Sequence, residues 1–161
     1  MHGKIRPSGD PDIRKGDMNF SRTLLASTLA ATGIVAGLAA PAQAAYPTSS
    51  YYVGPGNTYT YGTLTWYNRS VGYDGTNLAQ EGQCRQTRFR TFTSGGSQLG
   101  STTAGFVCTA VGNGKRANSY GGGVAADVAG GAAYVEVCLM GSSFPSSEPM
   151  TVLTCTNYYR P

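Results

Sequence analysis

From about residue 57 onward, apolar and polar side chains alternate with a period of two, the spacing of a half-buried strand. The alternation is clearest in Tyr59-Thr60-Tyr61 and Thr63-Leu64-Thr65-Trp66, and it marks 57–73 as strand-forming. Further strands are predicted over 84–93, 103–111, 123–128, 132–140 and 150–158. In the fourth of these, Val135, Val137 and Leu139 share one face, expected to be core, while Tyr134, Glu136 and Cys138 share the other. Glycine and serine punctuate the strands at 94–100, 112–114, 121–123, Gly130-Gly131 and 141–147. The only helix candidate is the alanine-rich stretch 124–133, which Gly130-Gly131 interrupts, so it reads as strand and turn. Short strands at this spacing predict an all-β domain: a two-sheet antiparallel β-sandwich, immunoglobulin-like, of about seven strands.

The pattern changes toward the N-terminus. Residues 18–22 form a short n-region, 23–40 an uncharged alanine-rich stretch, and Pro41-Ala42-Gln43-Ala44 supplies small residues at the −3 and −1 positions. Residues 18–44 are therefore expected to be a secretory signal peptide cleaved after Ala44. A membrane anchor is the competing reading, but the stretch is rich in Ala, Thr and Gly and an A-x-A site follows it directly. Residues 1–17, rich in charge and holding Pro7 and Pro11, fit no part of such a signal; they are an upstream extension, with Met18 as a second candidate start. The uncharged segment 45–56 contains Pro47, Pro55 and Tyr51-Tyr52 and precedes the first clear strand. It reads either as an extended arm or as an ordinary N-terminal strand on a sheet edge. The β-domain is then 57–161.

All four cysteines, Cys84, Cys108, Cys138 and Cys155, follow the expected cleavage site, as suits a small exported domain with two disulfides. Zinc sites favour a Cys-x2-4-Cys spacing, which this chain lacks, so no metal is expected. Gly95-Gly96 lies midway between Cys84 and Cys108, and Ser146-Ser147 midway between Cys138 and Cys155. Each pair is thus expected to face itself across a hairpin, each closure contributing roughly 3 kcal/mol on a chain-entropy model.

Charge adds little. From Tyr46 onward seven basic residues meet five acidic ones, a net +2 against +4 for the whole chain, and no concentrated basic face for nucleic acid follows from that. Arg85, Arg88 and Arg90 do cluster. They read as a solvated strand edge that discourages edge-to-edge pairing, or as a contact patch for an acidic partner. The only histidine is His2, so the exported part has no Ser-His-Asp or Cys-His arrangement and no histidine general base. Asp74, Glu81, Asp127, Glu136 and Glu148 show no spacing that pairs them for glycoside hydrolysis. Gly121-Gly122-Gly123 lacks the Lys-Ser/Thr and helix of a phosphate loop. The expectation is a non-enzymatic protein without cofactor.

Eleven tyrosines, all beyond residue 45, favour a binding role, because tyrosine offers large amphipathic contact area at low entropic cost. Tyr51-Tyr52 and Tyr158-Tyr159 lie near chain ends, where burial is least expected, and Tyr51, Tyr52, Arg85, Arg88 and Arg90 are the candidate contact residues. The chain presents in order a signal, an uncharged tyrosine-rich arm, the Gly62-Thr63-Leu64-Thr65-Trp66-Tyr67-Asn68-Arg69-Ser70-Val71 strand and a two-disulfide β-domain. In that general plan it resembles small secreted proteins of filamentous soil bacteria, among them the small adaptor subunit of umbrella toxin particles, which bridges a lectin-bearing subunit to a large toxin-bearing one. The resemblance implies an adaptor whose partners are other secreted proteins, and it carries over no functional residue. Two alternatives stand beside it. A carbohydrate or cell-wall binding module would stack Trp66 and exposed tyrosines on sugar rings, although Trp66 lies mid-strand where a core role is favoured. A proteinaceous enzyme inhibitor is the other; secreted α-amylase inhibitors present a Trp-Arg-Tyr triplet where this chain has Trp66-Tyr67-Asn68-Arg69.

Overall fold

Eight strands, built from Thr-, Tyr- and Val-rich segments and separated by Gly, Ser and Asn turns, make two four-stranded antiparallel sheets. The computed structural model describes residues 45–145 and 148–161; the predicted signal peptide and upstream extension lie outside the described residues. The strands are β1 (Thr48–Val53), β2 (Tyr59–Trp66), β3 (Ser70–Ala79), β4 (Gln83–Phe92), β5 (Gln98–Thr109), β6 (Arg116–Ala125), β7 (Tyr134–Ser143) and β8 (Thr151–Tyr159). The first sheet has the order β1-β2-β3-β6 and the second β5-β4-β7-β8.

The sandwich matches the expected class, with two differences. The stretch 57–73, rich in strand formers throughout, holds the β2 strand and the start of β3, which pair through a tight turn in which the Tyr67 amide donates to the Ser70 carbonyl at 3.0 Å. The connectivity is also not that of an immunoglobulin domain, where the second strand pairs with the fifth; here β2 lies between β1 and β3.

The inward residues of the two sheets form one core, with Leu64, Trp66 and Val71 facing Phe89, Val135, Val137 and Leu139, all fully buried. Tyr73 stacks on Phe89 with ring centroids 4.1 Å apart. The disulfides are Cys84–Cys108 and Cys138–Cys155, each across a hairpin as the turn symmetry predicts. Both lie within the second sheet, so neither disulfide joins the two layers; apart from the connecting loops, side-chain packing does that.

Segment 45–56 is not a free arm. β1 pairs with β2 along its whole length, and Tyr51 and Val53 enter the core with 3% and 2% exposure. Alternation explains it: odd-numbered side chains of β1 face inward, and their burial outweighs the solvation of an extended segment. Tyr51 lies in a row with Gly62, Gly75 and Tyr120 across the first sheet. The two tyrosine rings occupy the space that the glycines leave, and their hydroxyls meet at 2.8 Å. A Cβ on Gly75 would collide with the Tyr51 hydroxyl and the Tyr61 carbonyl, so only glycine fits beneath the pair. Thr60 and Thr87 hydroxyls join this cluster, and Asn77 Nδ2 donates to the Gly105 carbonyl at 2.6 Å, so the polar groups of this cluster are satisfied.

Candidate binding surfaces

The three arginines do not form one row. Arg85 and Arg88 differ in parity, and a strand sends odd and even side chains to opposite faces. Arg85 turns inward and is 6% exposed. Its Nε donates to Thr58 Oγ1 and its Nη1 to the Cys84 carbonyl, both at 2.7 Å, and its Nη2 donates to Gln83 Oε1. Burial pushes its pKa down, because desolvation penalises the guanidinium. Arg88 lies half-buried with Nη2 3.7 Å from Cys138 Sγ. Arg90 is engaged by Glu136, its Nε donating to Oε1 at 2.8 Å, and its guanidinium carbon sits 5.6 Å from the centre of the Phe92 ring. The row proposed for an acidic partner is therefore dispersed: one arginine is inside and another is neutralised.

Tyr51 is also removed from the candidates by burial, whereas Tyr52 stays exposed. Tyr158 closes the outer edge of β1 at Tyr52. Its hydroxyl donates to the Tyr52 carbonyl at 2.7 Å and accepts from the Tyr52 amide at 2.9 Å, taking both groups that an added strand would use. Trp66 is fully buried, with its indole N–H donated to Ser49 Oγ at 2.8 Å, and so offers neither a stacking surface nor part of an exposed inhibitory triplet. Arg69, after it, pairs with Asp127 at 3.0 Å. Glu136, Cys138 and Cys155 bring donor atoms within 4.8 Å of one another, but both sulfurs are spent in the disulfide and supply no thiolate for a metal.

The other edge of that side of the sandwich is open. β8 ends the second sheet, nine residues long and uncharged, and its side chains are exposed or half-exposed on both faces, with Val152, Leu153 and Tyr159 in solvent. The direction of its free backbone groups follows from two distances. The Arg160 amide donates to the Ala133 carbonyl of the neighbouring chain segment at 3.0 Å, which makes Arg160 and, by alternation, Tyr158, Thr156 and Thr154 the residues bonded toward β7. Cys138 and Cys155 have Cα atoms 4.0 Å apart, the close spacing of a pair that exchanges no backbone bonds. The amides and carbonyls of Cys155, Asn157 and Tyr159 thus point to the free edge. The sequence reading passed over this edge, although the signal was there in a strand without Pro or any charged residue.

Among the described residues no helix is long and apolar enough to cross a membrane, and the two disulfides suit an oxidising compartment. No protein-family model matches the chain, and no curated protein is significantly similar to it.

Proposed function

We propose that the chain is a secreted, non-enzymatic adaptor that joins another secreted protein by accepting an extended segment at the free edge of β8. The observation that carries this reading is the edge itself. Natural sheets protect such edges with lysine, proline, bulges or a covering element. β8 has one bulge, beside Leu153, and beyond it Thr154–Tyr159 runs regular and uncharged and, among the described residues, pairs with no strand on its outer side. An added strand would draw affinity from main-chain hydrogen bonds to Cys155, Asn157 and Tyr159, and specificity from the side chains beside them.

The non-enzymatic part rests on the chemistry available after residue 44: no histidine, no free thiol, and two of the five carboxylates held in ion pairs. Export rests on the signal-like leader together with the disulfides. The adaptor resemblance and strand addition at β8 point to the same class of partner.

The test separates edge from fold. Asn157→Pro removes an outward N–H and leaves the β7 ladder intact, whereas Thr156→Pro removes a ladder bond. Asn157→Pro is expected to fold with little loss of thermal stability and to lose capture of large chains from culture supernatant. The reading fails if that variant captures the same chains as the unsubstituted protein.

A further inference from the structure

The outer face of the first sheet carries a second surface, unrelated to the β8 edge. Outward side chains flank the Gly62–Gly75 pair on two rows, Ser50, Thr63 and Asp74 on one side and Tyr61, Thr76 and Ser119 on the other. Between them lies an open cavity of about 560 Å³, whose wall the two glycines and the Tyr51–Tyr120 pair complete. The outward side chains in that wall, Ser50, Tyr61, Thr63, Asp74, Thr76 and Ser119, each carry a hydroxyl or, in Asp74, a carboxylate, while the Tyr51 and Tyr120 hydroxyls meet on the inner side of the sheet. No aliphatic side chain and no cation takes part.

Asp74 is exposed, and among the described residues its carboxylate makes no ion pair and accepts no side-chain hydrogen bond. The Thr76 and Ser119 hydroxyls lie 3.2 Å apart and share one hydrogen bond, leaving acceptor capacity on both. Tyr61 is 47% exposed, and its ring continues through Tyr59 at 5.9 Å to Tyr52 at 5.3 Å, an aromatic strip leading away from the cavity.

The ligand class follows by elimination. An apolar molecule would leave the Asp74 carboxylate and the Thr63, Thr76 and Ser119 hydroxyls without partners. An anion would meet Asp74 with no cation beside it, and one carboxylate is too few for a divalent metal. A neutral sugar satisfies all the groups. Its adjacent hydroxyls donate to a carboxylate and accept from Ser and Thr hydroxyls, while the C–H face of a pyranose covers a tyrosine ring. The volume falls within the ordinary range of small-molecule sites, about 300–1,000 Å³. We infer that this cavity binds a neutral pyranose, with Asp74 accepting from two ring hydroxyls, Tyr61 stacking on the sugar face, and the Tyr59–Tyr52 strip offering room for the next residues of an oligosaccharide.

The disulfide-bonded protein, labelled for amide NMR, should be titrated with neutral oligomers of glucose, mannose, galactose and N-acetylglucosamine, and with a glucosamine oligomer as the cationic control. The expected result is saturable shifts at the Gly62, Asp74 and Gly75 amides with at least one neutral oligomer. Asp74→Ala and Tyr61→Ala should each weaken that binding by about tenfold or more, with unchanged melting temperature. Tyr159→Ala, in the other sheet, should leave it unaltered. The inference is overturned if no neutral oligomer gives saturable shifts at about 10 mM, some 2.7 kcal/mol of binding. It is equally overturned if both variants bind as the parent does, or if the glucosamine oligomer binds tenfold more tightly than its acetylated counterpart, which would make the site a simple cation trap. Asn157→Pro should bind sugar normally, so failure of the edge and failure of the cavity are read separately.

Discussion

Tyr51 shows how one side chain can change role between the linear and the folded chain. Its neighbour Tyr52 is in solvent, while its own hydroxyl is held inside by Tyr120 and donates to the Asp74 carbonyl at 3.2 Å. Burial, followed by the nearby Tyr120 phenol, pushes its pKa far above that of an ordinary tyrosine. The folded state therefore keeps a proton that the unfolded chain gives up above about pH 10. By linkage, the contribution of Tyr51 to stability is complete below that pH and is lost as pH climbs from there toward the folded value. Urea denaturation at pH 9, 10 and 11 should show stability falling with pH, and Tyr51→Phe should reduce that slope. An unchanged slope would mean that Tyr51 ionises freely in the fold. Arg85 teaches a simpler lesson. Its parity against Arg88 was readable from position alone, but its burial was not, because that depends on Thr58 arriving from the β1–β2 turn.

Hairpins were the legible elements. Symmetric turns placed Cys84 opposite Cys108 and Cys138 opposite Cys155, and the alternation of Val135, Val137 and Leu139 identified a core face that is fully buried. Such features are local, so a period and a turn suffice to read them. β1 was ambiguous because an uncharged, proline-bounded strand reads the same whether it pairs within its own chain or with another. The glycine row was hidden for a related reason: Gly62 and Gly75 acquire meaning only when four strands align them between Tyr51 and Tyr120. Removing 45–55 tests the assignment of β1. The deletion takes Tyr51 and Val53 out of the core and leaves β2 with an unpaired edge, at a cost of about 4 kcal/mol or more from the two side chains. The truncated chain is expected to be unfolded or molten by near-ultraviolet circular dichroism and calorimetry; a sharp melting transition near that of the full domain would show that β1 is dispensable.

At the scale of the whole molecule, the two proposed surfaces belong to different sheets, so engagement of one leaves the other free. A protein that grips a partner through β8 can still present the hydroxyl-lined cavity to a glycan, and in that sense the adaptor and carbohydrate readings are compatible. The Tyr158 hydroxyl, which closes the β1 edge, has a separate consequence for how the chain is threaded. It joins residues 106 positions apart and so brings the first and last strands of the sandwich together. From Tyr52 back to Ala45 and from Tyr158 on to Pro161 the chain spans at most about 35 Å, and with the Tyr158 side chain between them the ends lie within about 45 Å, a gap that a flexible bridge of roughly fifteen residues can cover. Opening the exposed turn at Gly112-Asn113-Gly114 while bridging Pro161 to Ala45 would then give a circular permutant with every strand pairing retained. Such a permutant should melt as one cooperative unit near the parent temperature in scanning calorimetry; a permutant that does not fold would mean that strand pairing depends on β1 being free to dock last. Chain order, on this view, is incidental to the sandwich: its sheets are specified by which faces meet, and the backbone could enter the circuit at more than one place.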